Sequence, residues 1–88
     1  MYYVYVLLSQ TDNEKYIGST NDLRDRLKKH NDGEIVSTKR YRPWQLVYYE
    51  AYLLEKLARQ REKSLKKHGN AKRELYKRLG IIRQQKGI

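Results

Sequence analysis

Eighty-eight residues carry 20 Lys+Arg against 10 Asp+Glu, a net charge of +10 and a pI near 9.9. That length holds one domain with a single modest core, and a 39% hydrophobic content is too high for a disordered polybasic tail. The absence of cysteine excludes disulfides, thiolate metal sites and a Cys nucleophile, and two histidines, His30 and His68, are too few for a histidine-rich zinc site.

Met1 to Leu8 (MYYVYVLL) is aromatic and β-branched with a period of two, which predicts a strand. Tyr3, Tyr5 and Leu7 share one face; Val4, Val6 and Leu8 share the other. The stretch is too short to span a bilayer and lacks the basic start and small-residue cleavage site of a signal peptide. The chain is therefore expected to be soluble and cytoplasmic, with no membrane partner. Asp12-Asn13 marks a turn, and Lys15 to Ser19 reads as a second strand, closing an antiparallel hairpin. Thr20, Asn21 and Asp22 are N-cap residues for a short helix reaching about Asn31, with Gly33 ending it. Leu23 and Leu27 define its buried stripe; Arg26 and His30 fall beside that stripe, one turn apart.

Residues 33–43 form a polar, basic loop containing Lys39, Arg40 and Arg42. Trp44 to Ala51 reads as a third strand, and Trp44, Tyr48, Tyr49 and Tyr52 read as core. From about Leu53 the pattern turns helical, with Leu54, Leu57, Ala58 and Leu65 on one face and Arg59, Lys63, Lys66 and Lys67 opposite. His68-Gly69-Asn70 stops that helix. A last helix runs from Ala71 to Leu79 and ends at Gly80. The order β-β-α-β-α-α predicts an α+β domain over 1–80, a three-stranded antiparallel sheet flanked by helices. Residues 81–88 read as a C-terminal tail or a short strand through Ile81 and Ile82.

The charge is uneven. Residues 1–50 hold eight Lys+Arg against seven Asp+Glu, and residues 51–88 hold twelve against three. Positive charge gathered in one half is the electrostatic footprint of a nucleic-acid binder. An anionic membrane surface, ribosomal RNA or a merely solvated helical face would give the same numbers.

Five polar residues stand where chemistry could gather: Tyr5 and Tyr16 on paired strands, Arg26 and His30 on the first helix, and Glu62 on the next. Glu62 lies about 70° off the middle of the apolar stripe, at its rim. Arg61 lies nearer the centre and is expected to snorkel at the edge of the sheet.

Tyr3-Val4-Tyr5, then Tyr16-Ile17-Gly18, then Leu23 to His30 (LRDRLKKH) resembles the signature of the GIY-YIG nucleases. Ala58 to Lys66 (ARQREKSLK) is similar to the distal glutamate motif of that family. The resemblance covers about residues 2–67 and is strongest to its small single-domain bacterial branch. Tyr3 replaces the first glycine of the name motif, a change seen in that branch. Ser19 stands where DNA-repair members tend to carry a lysine, which removes one electrostatic helper and lowers the expected rate.

The resemblance implies a metal-dependent endonuclease that hydrolyses DNA phosphodiesters with little sequence specificity of its own. It implies Tyr5, Tyr16, Arg26, His30 and Glu62 as the catalytic set, with one Mg²⁺ or Mn²⁺ held by Glu62, a hard oxygen ligand suited to either ion. Arg26 would brace the phosphate with its planar fork of donors. Tyr5 or Tyr16 would take the proton of the attacking water. A free phenol is ionised only to roughly one part in a thousand at pH 7, so its surroundings must lower its pKa. His30 would bridge to the other tyrosine or to the phosphate. Lys39, Arg40, Arg59, Lys63, Lys66 and Lys67 would grip DNA, or RNA, through backbone phosphates. In a chain this short, the expectation is either weak binding without sequence preference or direction by a partner protein.

Each position has a plainer reading. Tyr5 and Tyr16 would be strand residues packed on a helix, and Gly18 would relieve crowding. Arg26 would pair with Asp22 and Glu62 with Lys66, each at i, i+4. His30 would be a C-terminal cation favoured by the helix dipole. The whole chain could then be a non-enzymatic nucleic-acid-binding module retaining the nuclease fold.

Overall fold

Tyr2–Ser9 forms β1, whose alternating aromatic and β-branched residues leave both faces apolar. Such a strand needs cover on both sides. β1 accordingly sits in the middle of a three-stranded antiparallel sheet of order β2-β1-β3, where β2 is Lys15–Thr20 and β3 is Trp44–Tyr52. In this register Tyr5 lies opposite Gly18 on one side and Tyr49 on the other, and Leu7 lies opposite Tyr16. The pairing with β3 slips by one residue between Val6 and Leu7, a bulge that keeps apolar side chains inward past the break. The computed structural model describes residues 1–67 and 69–81.

The α1 helix, Leu23–Asn31, starts where Asp22 accepts a hydrogen bond from the Asp25 N–H at 3.0 Å. It stops before Gly33, whose φ of +82° a side chain would resist. A single 3₁₀ turn, Lys39–Tyr41, interrupts the following loop. Two further helices, α2 (Glu55–Lys67) and α3 (Gly69–Leu79), complete the α+β order β-β-α-β-α-α that the sequence predicts. No helix among the described residues is long and apolar enough to cross a membrane.

The helices divide between the two faces. Val4, Val6 and Ile17 pack with Ala58 and Leu65 of α2 and Leu75 of α3. Tyr5, Leu7 and Trp44 pack on the opposite face with Tyr16, Leu23, Leu27 and Tyr41. This arrangement matches the face assignment predicted for Tyr5 and Leu7 against Val4 and Val6.

Four expectations need correction. Leu54 and Leu57 are 56% and 40% exposed, because Leu54 precedes the first turn of α2 and Leu57 points about 100° away from Ala58. The buried stripe of α2 is Ala58 and Leu65, flanked by half-buried Arg61 and Glu62. Arg61 does more than snorkel: its Nε and Nη2 both donate to Glu50 of β3, at 2.9 Å each, and the same carboxylate accepts from Tyr48 and Tyr52. Tyr49 is 53% exposed, edge-on to Tyr3, although it lies opposite the buried Tyr5, because it sits on the outer strand β3. Gly69 and Asn70 belong to α3 rather than to a break before it. His68 and the predicted tail or strand through Ile82, apart from Ile81, lie outside the described residues. Ile81 itself packs against the α2–α3 core.

Candidate active site

Tyr5 and Tyr16 emerge on the α1 face because they sit on that face of neighbouring strands, two pleats apart in register. Gly18 makes the approach possible. A Cβ there would lie 2.6 Å from the Tyr5 hydroxyl and 2.9 Å from the Tyr16 ring. The crowding it relieves comes from the two tyrosines.

His30 and Arg26 reach the same place from α1. His30 is fully buried, and its Nε2 is 2.9 Å from the Tyr5 hydroxyl. Its ring also lies edge-on to Tyr16, with centroids 4.9 Å apart. Nδ1 is 2.8 Å from the Thr38 hydroxyl, which in turn lies 3.4 Å from the Ile35 carbonyl. Burial, with the charge of Arg26 adding to it, pushes the imidazole down to about 4, so it is neutral and carries one N–H. One arrangement gives every donor an acceptor: Tyr5 O–H to Nε2, Nδ1–H to Thr38, and Thr38 O–H to Ile35. A neutral buried ring cannot serve as the dipole-stabilised cation of the plainer reading, nor can it touch a phosphate.

Burial likewise pushes the Tyr5 phenol up to about 12, against the opposing pull of the neighbouring Arg26. Arg26 forms no pair with Asp22 among the described residues; Asp22 caps α1 instead. The Arg26 Nε is buried and has no hydrogen-bond partner. The guanidinium borders a cavity of about 290 Å³ shared with Ser19, Thr20, Asn21 and Arg59. The same side chain hydrogen-bonds the Tyr5 phenol, so its charge is shared between that tyrosine and the cavity, where an anion would meet it.

Glu62 reaches the cluster across the edge of β2. Its Oε1 accepts from the Ser19 hydroxyl at 2.6 Å and its Oε2 from Lys66 at 2.8 Å. Partial burial works to raise its pKa, but these two hydrogen bonds, with the charges of Lys66 and Arg59, hold the carboxyl below its usual value. It is therefore ionised at neutral pH. Among the described residues no group of three or more His, Cys, Asp or Glu comes together. Glu62 would offer a hard ion one carboxylate, the kind of ligand taken by an ion that keeps most of its waters.

All five predicted polar residues converge, and the ion pair of the plainer reading for Glu62 is also present. Sequence reasoning missed two participants, Ser19 as the clamp on Glu62 and Thr38 as the partner of His30. Of the predicted basic residues, Arg59, Lys63, Lys66 and Lys67 line a groove of about 490 Å³ together with Glu62. Lys39 and Arg40 are carried separately by the 3₁₀ turn, where Arg40 stacks on Tyr41.

The family model described as the GIY-YIG catalytic domain matches residues 1–77. The UPF0213 protein YazA of Bacillus subtilis is 44% identical over 66 residues, which cover 74% of this chain and 67% of that protein. A UPF0213 protein of Bacillus pumilus is 38% identical over 76 residues, 85% of this chain and 76% of the relative. In three dimensions the chain is similar to the solution NMR structure of the UPF0213 protein BH0048 from Bacillus halodurans. That match has a TM-score of 0.54 and 33% identity, and covers 89% of this chain and 83% of the other.

Proposed function

The chain belongs to the GIY-YIG family, and from that membership we propose that it is a metal-dependent endonuclease, a single domain over 1–80 that hydrolyses DNA phosphodiesters. The observation that carries the reading is the Arg26 guanidinium bordering a cavity, bonded to a phenol that His30 also holds, with the ionised Glu62 close enough to act on the same phenol.

In this mechanism a backbone phosphate enters the cavity beside Arg26, whose fork neutralises the charge that builds on the non-bridging oxygens. Tyr5 is a fixed neutral donor: its proton is committed to His30 and its pKa of about 12 opposes ionisation. Tyr16, half-buried at the strand edge, is the phenol that water can reach, so it is the one placed as general base toward the attacking water. His30 holds Tyr5 in place through a tautomer set by Thr38. Glu62, oriented by Ser19, would hold the Mg²⁺ or Mn²⁺ ion. That ion would supply positive charge to the phosphate and to the departing oxygen. The basic row Arg59, Lys63, Lys66 and Lys67 grips the flanking backbone without reading sequence, so the choice of site falls to DNA structure or to a partner protein.

The test is nicking of supercoiled plasmid in Mg²⁺ or Mn²⁺ by the wild type beside Glu62→Ala and Arg26→Ala. Loss of nicking in both variants supports the enzyme; equal nicking by all three rejects it. One observation favours a second reading. Both oxygens of Glu62 already have partners, as in a module that binds DNA or RNA and does not cut. Salt-sensitive binding with no cleavage by the wild type would select that reading.

A further inference from the structure

Glu62 and Lys66 stand one turn apart on α2, and their contact differs from the other pairs of the same spacing. Lys28–Asp32 and Arg59–Glu55 lie on exposed helix surface, with acidic side chains 42% and 53% exposed. The Glu62 side chain is 22% exposed, and the Lys66 ammonium leans off its own helix to lie 5.4 Å above the Tyr16 ring. It is thus seated between a carboxylate oxygen and an aromatic face, both of which attract a cation. Ser19 occupies the other oxygen, Oε1, so Oε2 is the one open to exchange.

We propose that the Lys66 ammonium is the resident cation of this site, and that a divalent ion binds Glu62 only by displacing it. The proposal rests on the reading of Glu62 as the metal ligand and adds a competitor to it. With no divalent ion bound, Lys66 is the cation in direct contact with this partly buried carboxylate, and Arg59 acts on it from further off. Once displaced, its four-carbon stem leaves the ammonium at the groove it lines with Arg59, Lys63 and Lys67. Metal loading therefore adds a positive charge to the surface that meets the phosphate backbone. Lys66 is a positioning residue here, since it acts through Glu62.

The measurement is Mn²⁺ binding to the full chain, read from the loss of the free-ion EPR signal, with no nucleic acid present. Lys66→Gln should bind Mn²⁺ about fivefold more tightly than the wild type, the scale of one surface ion pair. Lys66→Met, which keeps the stem over Tyr16, should do the same. Lys63→Gln removes an equal charge one residue from Glu62 and should change affinity by less than about twofold, because that charge is screened by solvent. Equal or weaker binding by both Lys66 variants overturns the proposal while leaving Glu62 as the ligand. Unchanged binding by Glu62→Gln overturns the metal reading itself and the proposal with it, as does a lack of binding by every protein.

Discussion

Tyr5 and Tyr16 are the same residue type on adjacent strands, yet their surroundings make them chemically different. Tyr5 gives its proton to a buried imidazole, so Tyr5→Phe leaves the His30 Nε2 without a donor and should destabilise the fold by about 1–3 kcal/mol in urea unfolding. Tyr16→Phe should change stability by less than about 0.5 kcal/mol while abolishing nicking. Equal stability losses in the two variants would contradict the hydrogen-bond order assigned to His30. His30 also makes a prediction in pH. Its folded pKa of about 4 lies below the unfolded value near 6.5, so the unfolded chain binds the extra proton first. Stability is complete above about pH 6.5 and falls by about 3 kcal/mol as pH drops toward 4. Thermal unfolding of wild type and His30→Gln across that range should show a steep loss for the wild type and a flatter profile for the variant. Parallel profiles would mean that the ring is not held neutral.

At the scale of elements, α2 is attached to the sheet by charge as well as by its thin apolar stripe. Arg61 fills the hydrogen-bonding capacity of Glu50, whose carboxyl is held low by Arg61, Tyr48 and Tyr52 although burial works to raise it. Arg61→Leu should lower stability by about 1–3 kcal/mol, because a part-buried carboxylate loses its cation. The double variant with Glu50→Gln should recover part of that loss, and full additivity would show that the two residues do not act together. The strand and helix order was legible in the sequence because periods of two and 3.6 survive in a single chain of letters. The placement of Tyr5, Arg26 and His30 was legible for the same reason. Ser19 against Glu62, Thr38 against His30 and Glu50 against Arg61 were not, since they join residues of separate elements. No periodicity records which side chains meet across a sheet edge or a loop. Leu54 is exposed because it precedes the start of α2, and Leu57 because it points about 100° away from Ala58 on that helix.

Across the whole molecule the net charge of +10 becomes directional. α2 and α3 cover one face of the sheet and carry most of the excess, while α1 and the buried His30 network occupy the other. Nucleic-acid affinity should therefore fall linearly in log–log form with salt. Replacing Lys63 or Lys67 by Ala should reduce that slope by about one unit each, with little change in preference between sequences. Fluorescence anisotropy of a labelled duplex over a KCl series measures this. Unaltered slopes would move the binding face elsewhere.

The central position of β1 has a consequence for how the protein is made. β1 is made before either of the strands that flank it, and Tyr5 pairs with Tyr49, forty-four residues downstream. Val4 and Val6 are sealed only when Leu65 and Leu75 have followed. Throughout synthesis an eight-residue apolar segment is therefore open to a chaperone or to the strand edge of a neighbouring nascent chain. The hairpin of β1 and β2 alone leaves Val4 and Val6 without the cover that α2 and α3 give them.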